Sequence, residues 1–377
     1  MGTTATVLDA DYVIDDGPTV RLFCVDADGD PVIATDDTVH PYFYVVPDQD
    51  RVDEAREAVR NRTYEHNDDQ VEPHAVEQVE RTDGRDTVTA LRVVLDLPPQ
   101  VPSVREQVAD LDLIAGTREF DIPFYKRYLI DSGIAPLTPV VLDGDREEGD
   151  PDRIVLDGPP GPAEAAVPDL SALAFDLEVV DDEIIMCSFA GEDYEKLLVT
   201  HDDGYDSDAV EPVQDEQALL DRFVAIVQER DPDIVLGYNT DEFDFDVLRD
   251  RAEHHDVALA LGRTGERMTF QRRGRFAGAM LEGRIHLDLY AFVENVVSMG
   301  MQSDTLTLDA VAAELIGEEK DDVSWDEMKR AWREKDDMDM FASYALRDAE
   351  IAYDLGESLV PQILSLSRLT GLPPFDV

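Results

Sequence analysis

The sequence predicts an α/β protein built from two units. Its 377 residues exceed the usual size of one domain, and 43% of them are hydrophobic, enough for real cores. Short apolar runs separated by turn residues alternate with amphipathic helical stretches along the whole chain. One stretch rich in Pro, Gly and Asp, "VLDGDREEGDPDRIVLDGPPGPAEAAVP", breaks that rhythm and reads as a linker. The expected division is a mixed α/β unit over 1–140, a linker over 141–168, a second unit over 169–359, and a closing segment over 360–377 that folds back on the first.

In the first unit, "TATVLDADYVI", "VRLFCVDADG", "PVIATDD" and "PYFYVVPD" read as short strands. "RVDEAREAVRNR" has helical spacing. "ALRVVLDLPPQVPSVREQVADL" reads as a strand, a Pro-rich corner and a helix that Ser103 is placed to cap. "FDIPFYKRYLIDSGI" is a compact aromatic and basic segment. The second unit opens with three consecutive strands, "ALAFDLEV", "EIIMCSFAG" and "EKLLVTH". An amphipathic helix in "DEQALLDRFVAIVQERDPD" follows, then the strand "DIVLGYN", the helix "FDVLRDRAEHH" and the hairpin-like "RMTFQRRGRFAGAMLEGRIHLDLY". The remainder is helical: "TLTLDAVAAELIG", "SWDEMKRAWRE" and "MFASYALRDAEIAYDLGESL". Three antiparallel strands followed by alternating helix and strand is the element order of a ribonuclease H-like α/β fold.

Composition limits the function classes. No run of about 18 apolar residues occurs, so no membrane span is expected. The start "MGTTATVLDADYV" lacks the basic and apolar parts of a signal peptide. Cys24 and Cys187 lie in separate strand-like runs, as ordinary core residues of a cytoplasmic protein do. The formal charge is −54, with five Lys against 27 Arg. The acids are spread through every segment and the apolar periodicity is regular, which favours adaptation to molar salt over a disordered acidic chain or a surface for a basic partner. At about 1 M salt the Debye length is only ~3 Å, so the charge does not exclude a nucleic-acid partner.

Three acidic sites stand out. "LAFDLEVV" sets Asp176 and Glu178 in an apolar strand, on the same face because they are two apart. Carboxylates held together there repel each other and lose hydration, and a bound cation would compensate. In "GYNTDEFDFDVL", Asp244 follows Phe243 at the start of a helix, where it could also be a simple cap. In "YALRDAEIAYDL", Tyr344 and Asp348 share a helix face, flanked by Ala342, Ala345, Ala349 and Ala352. Each motif alone has an ordinary reading as a strand end, a cap or a surface pair. Their order, with a matching element at each, supplies four carboxylates and a tyrosine, a donor set for two hard divalent ions.

The ordered set "FDLE", "YNTDEFD" and "YALRD" resembles the three exonuclease motifs of family B DNA polymerases, nucleases of the DEDD class with a tyrosine in the third motif. "DYVIDDGPTVRLF", "HPYFYVVPD", "FDIPFYKRYLIDSGI", "GRIHLDLY" and "LSRLTGLPPFDV" resemble archaeal members, so the likeness spans nearly the whole chain. The acidic excess adds the expectation of a halophile. The resemblance implies two Mg²⁺ or Mn²⁺ ions held by Asp176, Glu178, Asp244 and Asp348, with Tyr344 positioning the attacking water. The reaction implied is removal of 3′-terminal deoxynucleotides from a single-stranded DNA end. Asn239 and Phe243 would lie near that end, and Arg272, Arg273 and Arg275 are candidates for phosphate contact or for a solvated hairpin face. In the first unit the resemblance implies a pocket that captures uracil in the template strand, walled by Tyr12, Pro41, Tyr42, Val101, Ile122, Pro123, Phe124 and Arg127.

There are departures. Val179 stands where a Thr commonly follows the Glu, Gln100 where an Asp is common, and the loop "VVDDE" is short. The palm and fingers motifs of a polymerase do not occur in these residues. The expectation is therefore the N-terminal and exonuclease portion alone, through truncation, a split gene or a shortened paralogue. The polymerase part and a sliding clamp are the expected partners of the full enzyme. A noncatalytic module for DNA binding and uracil sensing is the alternative reading.

Overall fold

The computed structural model describes residues 2–201, 205, 207–273, 276–318, 330, 332–334 and 338–377, without the side chains of 272, 273 and 276. The first unit is organised by Thr3–Ile14. This strand pairs with Pro139–Leu142 on one side and Pro18–Asp26 on the other, and its register slips between Val7 and Asp9. The bulge lets two successive residues be buried in different places. Val7 joins the core of the seven-stranded sheet, while Leu8 points into the core of the second unit with Val25 and Leu137. The two units therefore share one apolar seam.

A second, four-stranded sheet runs in the order Ala75–Asp83, Asp86–Val94, Tyr42–Pro47, Ile114–Arg118. The helices Val52–Arg60 and Gln100–Ala109 contribute Ala55, Val59, Val104 and Val108 to its core. The expected cap at Ser103 is corrected: the helix begins three residues earlier, and the Ser103 hydroxyl donates to the Gln100 carbonyl. Pro98 and Pro99 favour the earlier start, since Pro suits the first turn, where its missing N–H costs nothing.

The stretch 141–168 contains strands where a plain linker was expected. Gly144–Glu147 and Asp152–Leu156 form a hairpin that joins the seven-stranded sheet parallel to Pro31–Asp36. Ile154 and Leu156 are buried while Val155 faces out. That short alternation is masked in the sequence by the Asp, Gly and Pro around it. No strand or helix is assigned over 163–171, which leads into the second unit.

The second unit is a six-stranded sheet in the order Val210–Pro212, Tyr194–Val199, Glu183–Gly191, Ala172–Val180, Ile234–Gly237, Ile285–Asp288. Ala172–Val180, Glu183–Gly191 and Tyr194–Val199 are antiparallel neighbours, and Ile234–Gly237 and Ile285–Asp288 run parallel to Ala172–Val180. The helices Glu216–Arg230 and Phe245–His255 bury Phe223, Ile226, Phe245 and Leu248 against one face. The other face is covered by the long helix Met338–Thr370, joined by Leu289, Phe292 and Val311 from shorter helices. It carries on through Pro361 into the segment expected to be separate. The buried stripe Leu355, Leu359 and Ile363 continues across that proline, and packing outweighs the one lost hydrogen bond. The end of the chain does reach the first unit. Arg368 Nε donates to the Leu137 carbonyl at 2.8 Å, and Lys126 pairs with Asp376 at 2.8 Å. Among the described residues no helix is long and apolar enough to cross a membrane.

Candidate functional site

The sheet opens at one place. Ala172, Leu173 and Ala174 pair with Ile234, Val235 and Leu236, but the partner strand ends at Gly237. Asp176 and Glu178 lie just beyond, where one side of their strand has lost its neighbour. Parallel strands commonly form sites at their carboxyl ends for this reason. The chain turns away through Gly237, where a Cβ would collide with Thr240 Cγ2 and lie 2.9 Å from the Phe175 carbonyl oxygen. Asn239 then takes a left-handed conformation with φ of 68°. Thr240–Asp244 forms a π-helical turn that leads straight into the helix Phe245–His255.

Asp244 is 3% exposed and makes no capping hydrogen bond, so the cap reading does not hold. Its Oδ1 is buried without a hydrogen-bond partner. Burial, then the charges of Asp176 and Asp288, push its carboxyl well above the usual range, against a modest counter-effect from the Leu177 backbone N–H. Cys187, on the adjoining strand, has its thiol raised by burial and by the charges of Asp176 and Asp244.

The long helix brings Asp348 in from the opposite face. Ala342, Ala345, Ala349 and Ala352 are all buried on it, and their small side chains allow its close approach to the sheet. One carboxylate oxygen each from Asp176, Glu178 and Asp348 lies within 4.8 Å of the others. Asp244 borders this trio through Asp176 without belonging to it. Tyr344, one turn before Asp348, is half-buried against the apolar group of Val180, Met186 and Phe341. Phe243, in the same turn as Asp244, is a large apolar side chain left 44% exposed. Arg272 and Arg273 lie on the hairpin strand Thr269–Arg273, but their side chains, and Arg275 entirely, lie outside the described residues.

Three carboxylate oxygens within 4.8 Å of one another and an orphaned fourth carboxylate oxygen form a site short of positive charge. The donors are all oxygens, the set that Mg²⁺ and Mn²⁺ take. The residues fit such ions.

Sequence reading missed the group that holds this site in shape. Asp288 caps the short helix after it by accepting from Tyr290 N at 2.9 Å, and it also accepts the backbone N–H groups of Asn239 at 2.8 Å and Asp241 at 3.1 Å. Burial raises its carboxyl above the ordinary value. Buried His286 supports the same turn. Its Nδ1 faces the Ala279 carbonyl at 3.0 Å, which leaves Nε2 to accept from the Thr240 hydroxyl at 3.0 Å. Asp241 accepts from the Ala279 backbone N–H at 2.8 Å and so ties the turn to the hairpin. The available signal was an acid closing the apolar strand in "RIHLDLY", the same pattern as "LAFDLE".

The first unit holds a second concavity of about 300 Å³. Tyr12, Pro41, Tyr42, Val101, Ile122, Pro123, Phe124 and Arg127 all line it, with Pro98, Pro102, Phe120 and Asp121. Tyr12 meets Phe124 edge to face at 5.5 Å, and the Arg127 guanidinium lies 5.1 Å from the Tyr42 ring centre. The Tyr42 hydroxyl donates to Asp131 at 2.8 Å. Gln100 supports the rim, its Oε1 accepting from the Leu97 N–H at 3.0 Å. The volume sits at the small end of small-molecule sites.

An α/β sheet with a carboxylate cluster at the carboxyl ends of its central parallel strands defines the class: a protein with an acidic centre suited to hard cations. Comparison with known proteins then gives the family. The profile described as DNA polymerase family B, exonuclease domain, matches residues 116–311, more than half of the chain. The chain belongs to DNA polymerase family B and contains that family's exonuclease domain. It is 32% identical over 380 residues to a DNA polymerase of Thermococcus kodakarensis, an alignment covering 98% of this chain and 20% of that protein. The DNA polymerase of Pyrococcus glycovorans is also 32% identical, with 98% of this chain and 44% of that protein covered. The family B DNA polymerase structure from the hyperthermophilic archaeon Pyrobaculum calidifontis superposes with a TM-score of 0.83 at 27% identity, covering 99% of this chain and 48% of that one. The chain thus spans less than half the length of these relatives.

Proposed function

We propose that this chain is the proofreading portion of a family B DNA polymerase and removes 3′-terminal deoxynucleotides from single-stranded DNA ends. The carrying observation is the convergence of Asp176, Glu178 and Asp348, with the orphaned oxygen of Asp244 beside them. The relatives named DNA polymerase support the nucleic-acid substrate. Bound at this site, two divalent ions would supply the charge that favours an attacking water and a departing 3′-oxygen. The protein's own part is positioning. The strand fixes Asp176 and Glu178, the alanine-lined helix fixes Asp348, and the turn held by Asp288 fixes Asp244. In this reading Tyr344 orients the attacking water, Phe243 offers an exposed ring to the terminal base or sugar, and Asn239 lies beside that end. Arg272, Arg273 and Arg275 serve the phosphates.

The cavity in the first unit is read as the template-strand sensor for uracil. Its eight walls fit a flat pyrimidine, and a preformed apolar slot excludes a thymine methyl by shape. The functional division is read as a sensing unit that includes the hairpin of 144–156, and a hydrolytic unit whose last helix, Met338–Thr370, runs through 360 to the return contact. The polymerase part and a sliding clamp are proposed as the partners, and the cytoplasm as the compartment. The charge of −54 supports a halophilic source.

The test is a 5′-labelled single strand incubated with the chain and Mg²⁺ in molar KCl. Progressive shortening from the 3′ end that stops on chelation is expected. An intact strand, or cutting from the 5′ end, contradicts the proposal.

A further inference from the structure

We propose that His40, His74 and Asp96 form a binding site for a divalent cation of the zinc class, separate from the carboxylate centre. One ring nitrogen of each histidine and one carboxylate oxygen of Asp96 lie within 4.8 Å of one another. His74 Nδ1 and Asp96 Oδ1 are 3.1 Å apart. The rings of His40 and His74 stack face to face, with centroids 4.4 Å apart and planes 25° from parallel, so one ring has to turn before both in-plane lone pairs meet at one ion. Zinc–nitrogen and zinc–oxygen bonds of about 2.0–2.2 Å put neighbouring tetrahedral ligands roughly 3.3–3.5 Å apart. The His74–Asp96 pair is already close to one such edge, and the exposed His74 ring is free to turn out of the stack and converge with half-buried His40.

The backbone explains why three residues so far apart in sequence meet. Val94 is the register partner of both Tyr42 and Ala75, on the strands either side of it. His40 precedes Tyr42 by two, His74 precedes Ala75 by one, and Asp96 follows Val94 by two. All three therefore project from the same end of one rigid sheet. The Leu95 N–H donates to the Pro41 carbonyl at 2.9 Å, which extends the ladder past the strand ends.

A second observation points to a ligand. His40 Nδ1 is buried and has no hydrogen-bond partner, an uncommon state for a buried polar atom. Imidazole with one carboxylate suits zinc, copper or nickel, whereas Mg²⁺ keeps several waters and prefers oxygen. Three protein ligands leave a fourth position for water. The site opens on a groove of about 370 Å³ that shares Tyr42, Phe124 and Arg127 with the neighbouring cavity. A cation here would cross-link three strand ends beside that wall.

The experiment uses the whole chain, stripped of metal by a chelator and returned to buffer with excess Mg²⁺ to occupy the carboxylate centre. Calorimetric titration with ZnCl₂ is compared with a His40→Ala/His74→Ala double variant and with Asp96→Asn. The expected result is one zinc equivalent fewer in the double variant and at least tenfold weaker binding at that site in Asp96→Asn. Equal stoichiometry and affinity in all three, or no zinc bound by the wild type, overturns the proposal. Co²⁺ gives an independent reading in the unmodified protein. Tetrahedral visible bands with hyperfine-shifted proton signals from two histidine rings support the site, and the absence of such signals overturns it.

Discussion

Replacing Asp9 with Asn should stabilise the protein, increasingly so as the pH rises. Asp9 lies at the bulge of Thr3–Ile14, 7% exposed, in the seam beside Pro374 and Phe375. Burial pushes its carboxyl from the ordinary 3.8 up to about 7. The Ala10 N–H works against that rise, while the charges of Asp11 and Asp376 add to it. A raised carboxyl means that the folded state holds the proton more tightly than the unfolded chain. The cost of ionising it is therefore absent below about pH 4, grows between about pH 4 and 7, and is complete above. A shift from 3.8 to about 7, at 1.36 kcal/mol per unit, gives roughly 4 kcal/mol as an upper figure. Asn keeps the Oδ1 acceptor for Ala10 and removes the charge. Molar salt screens the neighbouring acids but not the burial, so most of the effect survives in KCl. Urea unfolding of both proteins at a series of pH values is the assay. The Asn variant should match the wild type near pH 4 and exceed it by up to about 4 kcal/mol near pH 8. A difference that does not change with pH, or a variant less stable at pH 8, refutes the reasoning.

The same logic applies at the carboxylate centre. Asp244→Asn should raise the stability of the metal-free protein by about 1–3 kcal/mol near neutral pH, with the gain fading toward acid, while eliminating nuclease turnover; melting curves and strand digestion read the two effects, and an Asn variant less stable than wild type at pH 8 counts against the assignment. Asp288→Ala leaves three backbone N–H groups without their acceptor and should cost about 2–4 kcal/mol in urea unfolding. It should also slow digestion although it contacts no substrate, and wild-type rate and stability would remove it as a positioning residue. Val101→Gln should fill the cavity of the first unit and abolish any preference for uracil over thymine strands in a competition titration, whereas an undiminished preference contradicts the pocket reading.

Much of this was legible in the sequence because it depends on local patterns. Asp176 and Glu178 interrupt an apolar strand, and Tyr344 and Asp348 sit in a run of alanines. Both are visible as chemistry in the wrong company. Asp288 was less visible, because its role depends on backbone N–H groups about 50 residues earlier in the chain. The strands within 141–168 were hidden because Leu142, Ile154 and Leu156 are buried residues scattered among turn formers. The last helix read as ending at Leu359, because the buried stripe that carries it across Pro361 is not visible in the sequence. The meeting of His40, His74 and Asp96 follows from sheet register, which no linear spacing displays.

The central claim is that Asp176, Glu178, Asp244 and Asp348 act as one hydrolytic centre. The most direct test is digestion of a 5′-labelled single strand with Mg²⁺ in molar KCl by the wild type, Asp176→Ala and Asp348→Ala, with circular dichroism and melting of each. The account predicts progressive 3′ shortening by the wild type and none by either variant, both folded and at least as stable without metal. Digestion by either folded variant at the wild-type rate would contradict it.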